Sequence, residues 1–280
     1  MLLKESLTSA IERMTAAHVG SPRMNAEVLL MFTLGCDRAH LYAHPERALT
    51  HDEYQRYEDA VSQRISGVPA QYITGHQEFW GMDFIVSRAV LIPRPETEHV
   101  IETALLVAAR LTNPRIIDVG TGSGAIALAL AKELPRAEIH ASDISEAALE
   151  IARANAARHQ LEERILFHHA DLLAGVPAGT FDIVVSNPPY VGLSEEDQVQ
   201  IEVRKFEPKS AVFAGQTGVE VIKRLLPQAE AALKPEGRLI FEISGTIADA
   251  VRELLVGWND FEVVADLQGI PRVVCARKPS

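Results

Sequence analysis

The chain has 280 residues, of which 47% are hydrophobic, and a formal net charge of −11 at pH 7. This hydrophobic fraction is typical of a globular protein with a core, and the acidic charge argues against a nonspecific binder of the DNA phosphate backbone. Two distant cysteines, Cys36 and Cys275, form no metal-spaced pair, and no apolar stretch approaches the length of a membrane span. We therefore expect a cytoplasmic protein that needs no metal ion, no membrane and no direct contact with DNA.

Residues 1–70 are predicted to form a small helical domain. Ser21 followed by Pro22 predicts a helix start with Ser21 as the cap, and Gly35 is a natural end for that helix. Thr50 and Glu53 have the spacing of a capping box at the start of a later helix. The first helix carries hydrophobic residues at helical spacing, namely Leu3, Leu7, Ile11 and Met14. These patterns leave two roles open, a structural appendage or a partner-binding module.

Residues 71–95 are predicted to be a linker. Short apolar runs around Phe79 and Phe84 flank a turn that contains glycine, which is typical of a β-hairpin. A loop with two prolines follows, and its stiffness suits a segment that holds a position over a site. Glu96 or Thr97 is then predicted to start a helix.

Residues 96–280 are predicted to form an α/β domain, because strand and helix patterns alternate along them. Such alternation predicts a mostly parallel, Rossmann-like sheet of seven strands with helices on both faces. The connection Asp266–Pro271 is too short for a crossover helix, so the last two strands should form an antiparallel hairpin. The predicted strands are 115–119, 138–142, 164–168, 181–186, 238–243, 261–265 and 272–276, and the predicted helices between them are 125–133, 145–159, 219–233 and 247–256.

A glycine-rich loop lies between the first strand of this domain and its first helix. Glycines allow a tight turn and a close approach by a ligand, and the helix N-terminus offers free N–H groups to a carboxylate or phosphate. A dinucleotide site would need Gly-x-Gly-x-x-Gly, whereas the third glycine here comes one residue early. The loop residues are candidates for cofactor binding: Gly120, Thr121, Gly122, Ser123 and Gly124.

Three acidic residues lie at strand ends near this loop. Asp118 precedes the loop, where its carboxylate could meet a cationic amino group directly or through water. Asp143 ends the second strand and is placed to accept hydrogen bonds from two ribose hydroxyls. Asp171 ends the third strand and could accept from an adenine amine while Leu172 packs on the ring; a turn or helix cap is the alternative role for Asp171. Together with the glycine spacing, these groups favour S-adenosylmethionine over a nicotinamide cofactor.

The buried strand pattern Phe181–Val185 leads through a serine into Asn-Pro-Pro-Tyr, at the strand end where open α/β sheets bind ligands. Pro188 and Pro189 stiffen the backbone. The Asn187 side-chain oxygen and the Pro188 carbonyl are predicted to accept the two hydrogens of a planar NH2 group, with Tyr190 packed against its plane. We therefore predict that Asn187, Pro188 and Tyr190 are catalytic, that all four residues bind substrate, and that Asn187 borders the cofactor. A proline-rich turn with a capping asparagine is the alternative.

These motifs resemble those of the peptide chain release factor glutamine N5-methyltransferases, the HemK or PrmC family. The resemblance implies a class I methyltransferase fold and S-adenosylmethionine-dependent transfer to the glutamine amide in the Gly-Gly-Gln motif of class 1 release factors. It also implies that residues 1–70 bind the release factor. An aromatic residue is common in the family at Leu172, and glycine is usual at Ser244. The similarity is carried by Gln71–Gly75, Phe79–Gly81, Pro93–Glu98, Gly120–Gly124, Asn187–Tyr190, Glu207–Pro208, Ala214–Gly215 and Asp266–Arg272.

Three other functions remain open from the residues alone. A DNA adenine or cytosine amino-methyltransferase shares the Asn-Pro-Pro-Tyr motif but would need a basic target-recognition segment. A noncatalytic cofactor-binding or partner-binding protein is disfavoured by the intact motif, and a nicotinamide oxidoreductase is disfavoured by the glycine spacing. A monomer is the simplest expectation for the oligomeric state.

Overall fold

The chain consists of two compact units, Met1–His76 and Gln77–Ser280. The computed structural model describes residues 1–279. In this part of the chain, no helix combines the length and the apolar composition that a bilayer span requires. The first unit includes residues 71–76, which the sequence pattern places in the linker.

The first unit is a helical bundle built on amphipathic segments. Its core surrounds Tyr57, whose hydroxyl donates a hydrogen bond to the Ala26 carbonyl at 3.0 Å. A buried aromatic ring with a satisfied hydroxyl fixes how two of the helices pack. The helices are α1 (Leu3–Ala16), α2 (Pro22–Leu34), α3 (Arg38–Ala43), α4 (His51–Ile65) and α5 (Ala70–Thr74).

The helix ends follow the sequence signals with one exception. Thr50 and Glu53 form the predicted capping box at the start of α4, and Gly35 ends α2 in the left-handed conformation. The prediction for Ser21 is wrong in its chemistry: Ser21 stands at the N-cap position, but its φ is 48° and its side chain makes no capping bond. The Asn25 side chain donates instead to the Gly20 and Ser21 carbonyls, at 2.8 and 3.2 Å, and stabilises this turn.

The predicted hairpin is present as β1 (His76–Phe79) and β2 (Met82–Ile85), which form a two-stranded sheet. Trp80 and Gly81 connect them with φ of 52° and 62°, as the twist of a two-residue hairpin requires. The Asn155 side chain accepts from Ile85 N–H at 2.6 Å and donates to the Ile85 carbonyl at 3.0 Å. This pair of bonds attaches the hairpin to the α/β core.

The second unit alternates strands and helices as predicted. Its strands are β3 (Arg115–Val119), β4 (Glu138–Asp143), β5 (Ile165–His169), β6 (Phe181–Ser186), β7 (Leu233–Glu242), β8 (Asn259–Ala265) and β9 (Pro271–Arg277). Its helices are α6 (Glu98–Ala108), α7 (Ala125–Glu133), α8 (Glu146–Arg158), α9 (Ile201–Phe206), α10 (Lys209–Val212), α11 (Glu220–Ala232) and α12 (Ala248–Leu254). A 3-10 turn, Pro95–Thr97, precedes α6.

The sheet has the order β5-β4-β3-β6-β7-β9-β8. The pairs from β5 to β7 are parallel, and β9 pairs antiparallel with both β7 and β8. The class I methyltransferase fold is therefore confirmed, together with the antiparallel C-terminal hairpin. Strand β6 lies in the centre with apolar residues facing both layers of helices, which explains the β-branched residues Ile183, Val184 and Val185.

The segment between β6 and α11 contains structure that the sequence pattern did not reveal. It holds the 3-10 turn Leu193–Gln198 followed by α9 and α10. Val191 N–H donates to the Val212 carbonyl at 3.1 Å, and Ala214 N–H donates to the Val191 carbonyl at 2.9 Å. These bonds fold the segment back onto the residues that follow β6.

Candidate functional site

The carboxyl ends of β5, β4, β3 and β6 lie side by side because these strands are parallel neighbours. The chain order reverses between β3 and β6, which makes this junction a topological switch point. A cavity of about 360 Å³ lies there, and residues that follow each of the four strands line it, among them Gly122, Asp143, Asp171 and Asn187. The fold thus brings the predicted cofactor residues to one cavity, except Asp118 and Gly124, which do not line it.

The loop after β3 is held by bonds to the end of β4. Gly120 N–H and Thr121 N–H donate to the Ser142 carbonyl at 2.8 and 2.9 Å, and Gly122 N–H donates to Asp143 Oδ2 at 2.9 Å. Gly120 and Gly122 have φ of 72° and 56°, in the left-handed region that glycine tolerates. The two strand ends are therefore joined before any ligand enters.

Gly124 does not line the cavity and lies where α7 packs against α8, so its part in cofactor binding stays a prediction. Its φ is 84°, and a Cβ there would lie 2.6 Å from Leu128 Cδ1 and 3.3 Å from Ala152 Cβ. The missing side chain lets α7 pack closely against α8. The neighbouring Ser123 lines the cavity, as do the three residues before it.

Asp118 lies beneath the loop and is only 1% exposed. Its Oδ2 atom accepts from Thr121 Oγ1 at 2.6 Å and from Ala127 N–H at 3.2 Å. Its Oδ1 atom is buried and has no hydrogen-bond partner among residues 1–279. Burial raises the pKa of Asp118 to about 7, against the effect of these two hydrogen bonds. A cationic group that reached this oxygen would satisfy it and favour its charged form.

Asp143 and Asp171 both line the cavity, but their surroundings differ. Asp143 accepts one backbone N–H on each oxygen, from Gly122 and, at 2.9 Å, from Ser145. Each carboxylate oxygen retains a lone pair for a further donor. Asp171 pairs with Arg224, which also lines the cavity. One Asp171 oxygen is therefore already engaged.

Leu172 reaches the cavity through an unusual backbone conformation. Its φ is 56°, and its carbonyl accepts a hydrogen bond from Ser142 Oγ at 2.9 Å. A left-handed leucine is costly and is kept only where its surroundings demand it. The side chain is half-buried and lines the cavity.

Asn187 and Tyr190 are joined through two residues from distant parts of the chain. Asn187 Nδ2 donates to Thr97 Oγ1 at 2.9 Å, and Thr97 Oγ1 donates to Glu242 Oε2 at 2.6 Å. The Tyr190 hydroxyl donates to Glu242 Oε1 at 3.0 Å. In the described part of the chain, the Asn187 side-chain oxygen and the Pro188 carbonyl have no hydrogen-bond partner. Burial, with the Glu242 carboxylate beside it, raises the pKa of Tyr190, so its hydroxyl stays protonated.

A second cavity of about 440 Å³ lies on the other side of Asn187. Pro188, Tyr190, Glu242 and Arg272 line it, while Asn187 and Pro189 line both cavities. The Asn-Pro-Pro-Tyr motif therefore stands where the two cavities meet. Such a pair suits two ligands that react with each other across this junction.

The loop before α6 contributes to both cavities. Arg94 lines each of them and forms an ion pair with Glu207, a buried residue at the end of α9. The other Glu207 oxygen accepts from Ile92 N–H at 3.2 Å. This charge-assisted pair at a buried carboxylate holds the loop in place. The loop borders both cavities, as its two prolines led us to expect.

Two families match this chain, the PrmC N-terminal domain over residues 5–75 and the methyltransferase small domain over residues 100–205. A release factor glutamine methyltransferase of Koribacter versatilis is 56% identical, and the match covers 100% of each chain. The chain belongs to the release factor glutamine methyltransferase family. A second member, from Chlorobaculum tepidum, is 42% identical over 96% of this chain and 94% of its own. The resemblance predicted from the motifs is confirmed.

Solved structures support the methyltransferase fold. The hMettl16 catalytic domain in complex with MAT2A 3'UTR hairpin 6 matches with a TM-score of 0.56 and 17% identity, over 78% of this chain and 81% of that one. A methyltransferase from Pyrococcus furiosus matches with a TM-score of 0.50 and 19% identity, over 71% and 90%. At these identities the likeness concerns the fold alone.

Sequence reasoning missed four functional candidates of this family member. Thr97 and Glu242 hold Asn187 and Tyr190, whereas Arg94 and Glu207 fix the loop over the cavities. Motif resemblance marked Pro93–Glu98 and Glu207–Pro208, which contain all of these residues except Glu242, without giving their side chains a role. The only signal in the sequence was the presence of polar and charged residues in or near the motifs. Spacing along the chain does not show which of them contact each other.

Proposed function

We propose that this chain transfers a methyl group from S-adenosylmethionine to the side-chain amide nitrogen, N5, of the glutamine in the Gly-Gly-Gln motif of class 1 release factors. The observation that carries this proposal is the place of Asn187, whose free amide oxygen belongs to a motif at the junction of two cavities. The relatives are named release factor glutamine methyltransferases, which supports a release factor glutamine as the acceptor.

The residues of the first cavity fit S-adenosylmethionine. The remaining lone pairs of Asp143 match ribose hydroxyls. Asp118 lies beneath the loop and does not line the cavity, and its unpaired oxygen matches a cationic amino group that reaches it directly or through water. The free oxygen of Asp171 and the side chain of Leu172 match the amine and the face of adenine. Gly120 to Ser123 line the same cavity without bulk at the two glycines. When bound, this cofactor supplies an electrophilic methyl group on a sulfonium sulfur.

The second cavity supports recognition of a carboxamide. An amide nitrogen is a poor nucleophile because its lone pair is conjugated with the carbonyl, as the rotation barrier of about 18–20 kcal/mol shows. The Asn187 oxygen and the Pro188 carbonyl accept the two amide hydrogens and stabilise positive charge as it develops on nitrogen. They would also hold the nitrogen roughly 3–3.5 Å from the carbon that it attacks. The transfer would leave S-adenosylhomocysteine, and the nitrogen would release its extra proton to water. Tyr190 packs against the amide plane, and its raised pKa gives it no role as a base.

The first unit is proposed to bind the release factor. Its surface exposes large apolar side chains, Met24, Phe32 and Tyr42, which are half exposed on α2 and α3. Exposed aromatic and methionine side chains are enriched where proteins meet. The cytoplasmic location and the monomeric state stay predictions.

DNA amino-methylation is the less favoured alternative. It shares the Asn-Pro-Pro-Tyr motif, but the net charge of −11 supplies no general attraction to phosphates. Residues 5–75 also match the PrmC N-terminal domain, and the full-length match to a release factor glutamine methyltransferase includes this region. Both matches favour the release factor over DNA.

Labelled methyl transfer tests the proposal. The enzyme is incubated with methyl-labelled S-adenosylmethionine and one of three acceptors: a purified class 1 release factor, the same factor with the motif glutamine changed to alanine, or duplex DNA. We expect label in the first acceptor alone. Label in the alanine variant would move the modified position elsewhere, and label in DNA would overturn the proposed function.

A further inference from the structure

The hydrogen bonds behind Asn187 form a connected series with a fixed direction. Thr97 and Glu242, which are 4% and 1% exposed, lie between Asn187 and Tyr190. An ionised carboxylate accepts hydrogen bonds and cannot donate them. Burial raises the pKa of Glu242, while the hydrogen bonds from Thr97 and Tyr190 and the charge of Arg272 oppose that rise. In its charged form, Glu242 takes the single hydroxyl hydrogen of Thr97, as it takes that of Tyr190.

This direction determines which end of the Asn187 amide faces the cavities. Because the Thr97 hydrogen points to Glu242, the Thr97 oxygen can only accept from its other neighbour. Asn187 must then turn its NH2 group toward Thr97, and its Nδ2 atom lies 2.9 Å from Thr97 Oγ1. Its oxygen is left for the cavities, where it has no partner among residues 1–279.

Side-chain amides in proteins are assigned from such networks, because their two ends have nearly the same shape. The enzyme must likewise distinguish two side chains of nearly the same shape. A glutamine carboxamide and a glutamate carboxylate are close in shape and differ in polarity at one end. An oxygen offered by Asn187 accepts from the NH2 group of glutamine and repels a carboxylate oxygen, whereas an NH2 group offered there would do the reverse.

We propose that Thr97 and Glu242 are positioning residues that fix the orientation of the Asn187 amide and so make the acceptor cavity select a carboxamide over a carboxylate. This inference rests on the proposed function, since it concerns the group bound in the same cavity. Neither residue touches the reacting atoms in this account. Both act through Asn187, and Tyr190 contributes its hydroxyl to the same carboxylate.

Binding selectivity tests the proposal without relying on turnover. Thr97→Val keeps a similar shape but removes the hydroxyl, Thr97→Ala removes it with less bulk, and Thr97→Ser keeps it. Thr103→Val is the matched control, since the Thr103 hydroxyl bonds only the His99 carbonyl within α6, at 2.7 Å. Thermal melting and cofactor affinity establish which variants are folded. The test needs only one folded variant without the hydroxyl, either Thr97→Val or Thr97→Ala.

Calorimetry with S-adenosylhomocysteine present measures the affinity for a release factor with Gly-Gly-Gln and for its Gly-Gly-Glu variant. The wild type and the control should bind the glutamine form at least about tenfold more tightly than the glutamate form. This is the size expected when a buried acceptor loses its hydrogen bond and faces a charged oxygen instead. Thr97→Val and Thr97→Ala should lose most of this preference and should lower kcat more than they raise KM. Thr97→Ser should restore both properties.

An unchanged glutamine preference in folded Thr97→Val or Thr97→Ala would overturn the positioning role while leaving the proposed function intact. A wild-type enzyme that binds neither release factor would instead contradict the proposed function itself. The two failures are therefore distinguishable in one set of titrations.

Discussion

The cofactor side and the acceptor side of this site are built in different ways. On the cofactor side, Asp118 bonds Thr121 three positions away, and Asp143 bonds Ser145 two positions away. On the acceptor side, Asn187 bonds a residue 90 positions away, and that residue bonds another 145 positions away. Local turns and contacts between adjacent strands create most of the first half, whereas the second half joins residues from three distant parts of the chain.

This difference separates what each half requires. The glycine loop is held by its own residues and by Ser142 and Asp143 at the end of the adjacent strand, so it needs only β3 and β4 to be paired. The acceptor half depends on β6, β7 and the turn before α6 meeting at fixed positions. We therefore expect changes on the cofactor side to alter affinity, and changes on the acceptor side to alter turnover.

The largest expected effect tests the acceptor half. Asn187→Ala removes the fixed acceptor for the amide hydrogen, and kcat should fall by roughly 10²–10³-fold, as for loss of one preorganised polar group in other active sites. The affinity for S-adenosylmethionine, measured by calorimetry, should change little. Asn259→Ala is the control, because that amide bonds the Lys278 carbonyl at the far end of β8. Near-normal methylation by Asn187→Ala would refute this division.

The next effect concerns the buried carboxylate of the cofactor half. The pKa of Asp118 is raised from an ordinary 3.8 to about 7, so the folded state holds a proton that the unfolded state releases. The stability from this group is fully present below the unfolded pKa and is lost as the pH rises through the folded pKa. The wild type should lose about 1.4 kcal/mol per pH unit in this window relative to Asp118→Asn.

Urea unfolding without cofactor, at pH 5 and pH 7, measures this difference. Over that interval the free energy of unfolding of the wild type should decline by about 2 kcal/mol relative to the variant, because Asp118 is already half-ionised near pH 7 in the folded state. Comparing trends removes the constant cost of burying the asparagine NH2 group. A difference between the two proteins that does not vary with pH would show that Asp118 is charged throughout.

A smaller effect is expected for Asp143→Ala. Loss of charge-assisted hydrogen bonds costs about 1.5–3 kcal/mol, so the dissociation constant for S-adenosylmethionine should rise by roughly 10–100-fold. At saturating cofactor, kcat should stay close to that of the wild type. Glu146→Ala, at a neighbouring exposed carboxylate that pairs with Arg153, should leave the affinity unchanged. Equal affinity for Asp143→Ala would remove Asp143 from the site.

The smallest expected effect concerns the proposed binding of the release factor by the first unit. Phe32 is 50% exposed on α2, and Phe32→Glu should raise KM for the release factor by several-fold, as for an interface residue worth about 1 kcal/mol. The affinity for S-adenosylmethionine should not change. Leu106→Glu, which alters a 73% exposed leucine on α6, is the control. Parallel changes in both affinities would favour a purely structural role for the first unit.

Sequence reasoning reached most of the fold because buried strands and their following loops carry local signals. The strand 115–119 and the helix 125–133 have the predicted bounds. The start of β7 lies five residues before the predicted 238, because Leu233 pairs with Phe181 ahead of a register shift. Pro235 and Gly237 are typical of a turn, so the sequence pattern did not indicate that the strand begins before them.

The same reasoning explains what was missed in the site. The glycine loop, Asp143 and the Asn-Pro-Pro-Tyr motif follow strands directly, so strand prediction also located them. The burial of Asp118, the pairing of Asp171 with Arg224 and the bond from Asn187 to Thr97 depend on how separate elements meet. Spacing along the chain holds no information on such contacts.

The central claim is that Asn187 presents an oxygen to a glutamine amide. A crystal structure with S-adenosylhomocysteine and a Gly-Gly-Gln release factor tests it most directly. We predict the glutamine nitrogen about 3 Å from both Asn187 Oδ1 and the Pro188 carbonyl oxygen, with Asn187 Nδ2 still bonded to Thr97. A glutamine bound elsewhere, or an Asn187 amide that turns its NH2 group toward the substrate, would contradict the account.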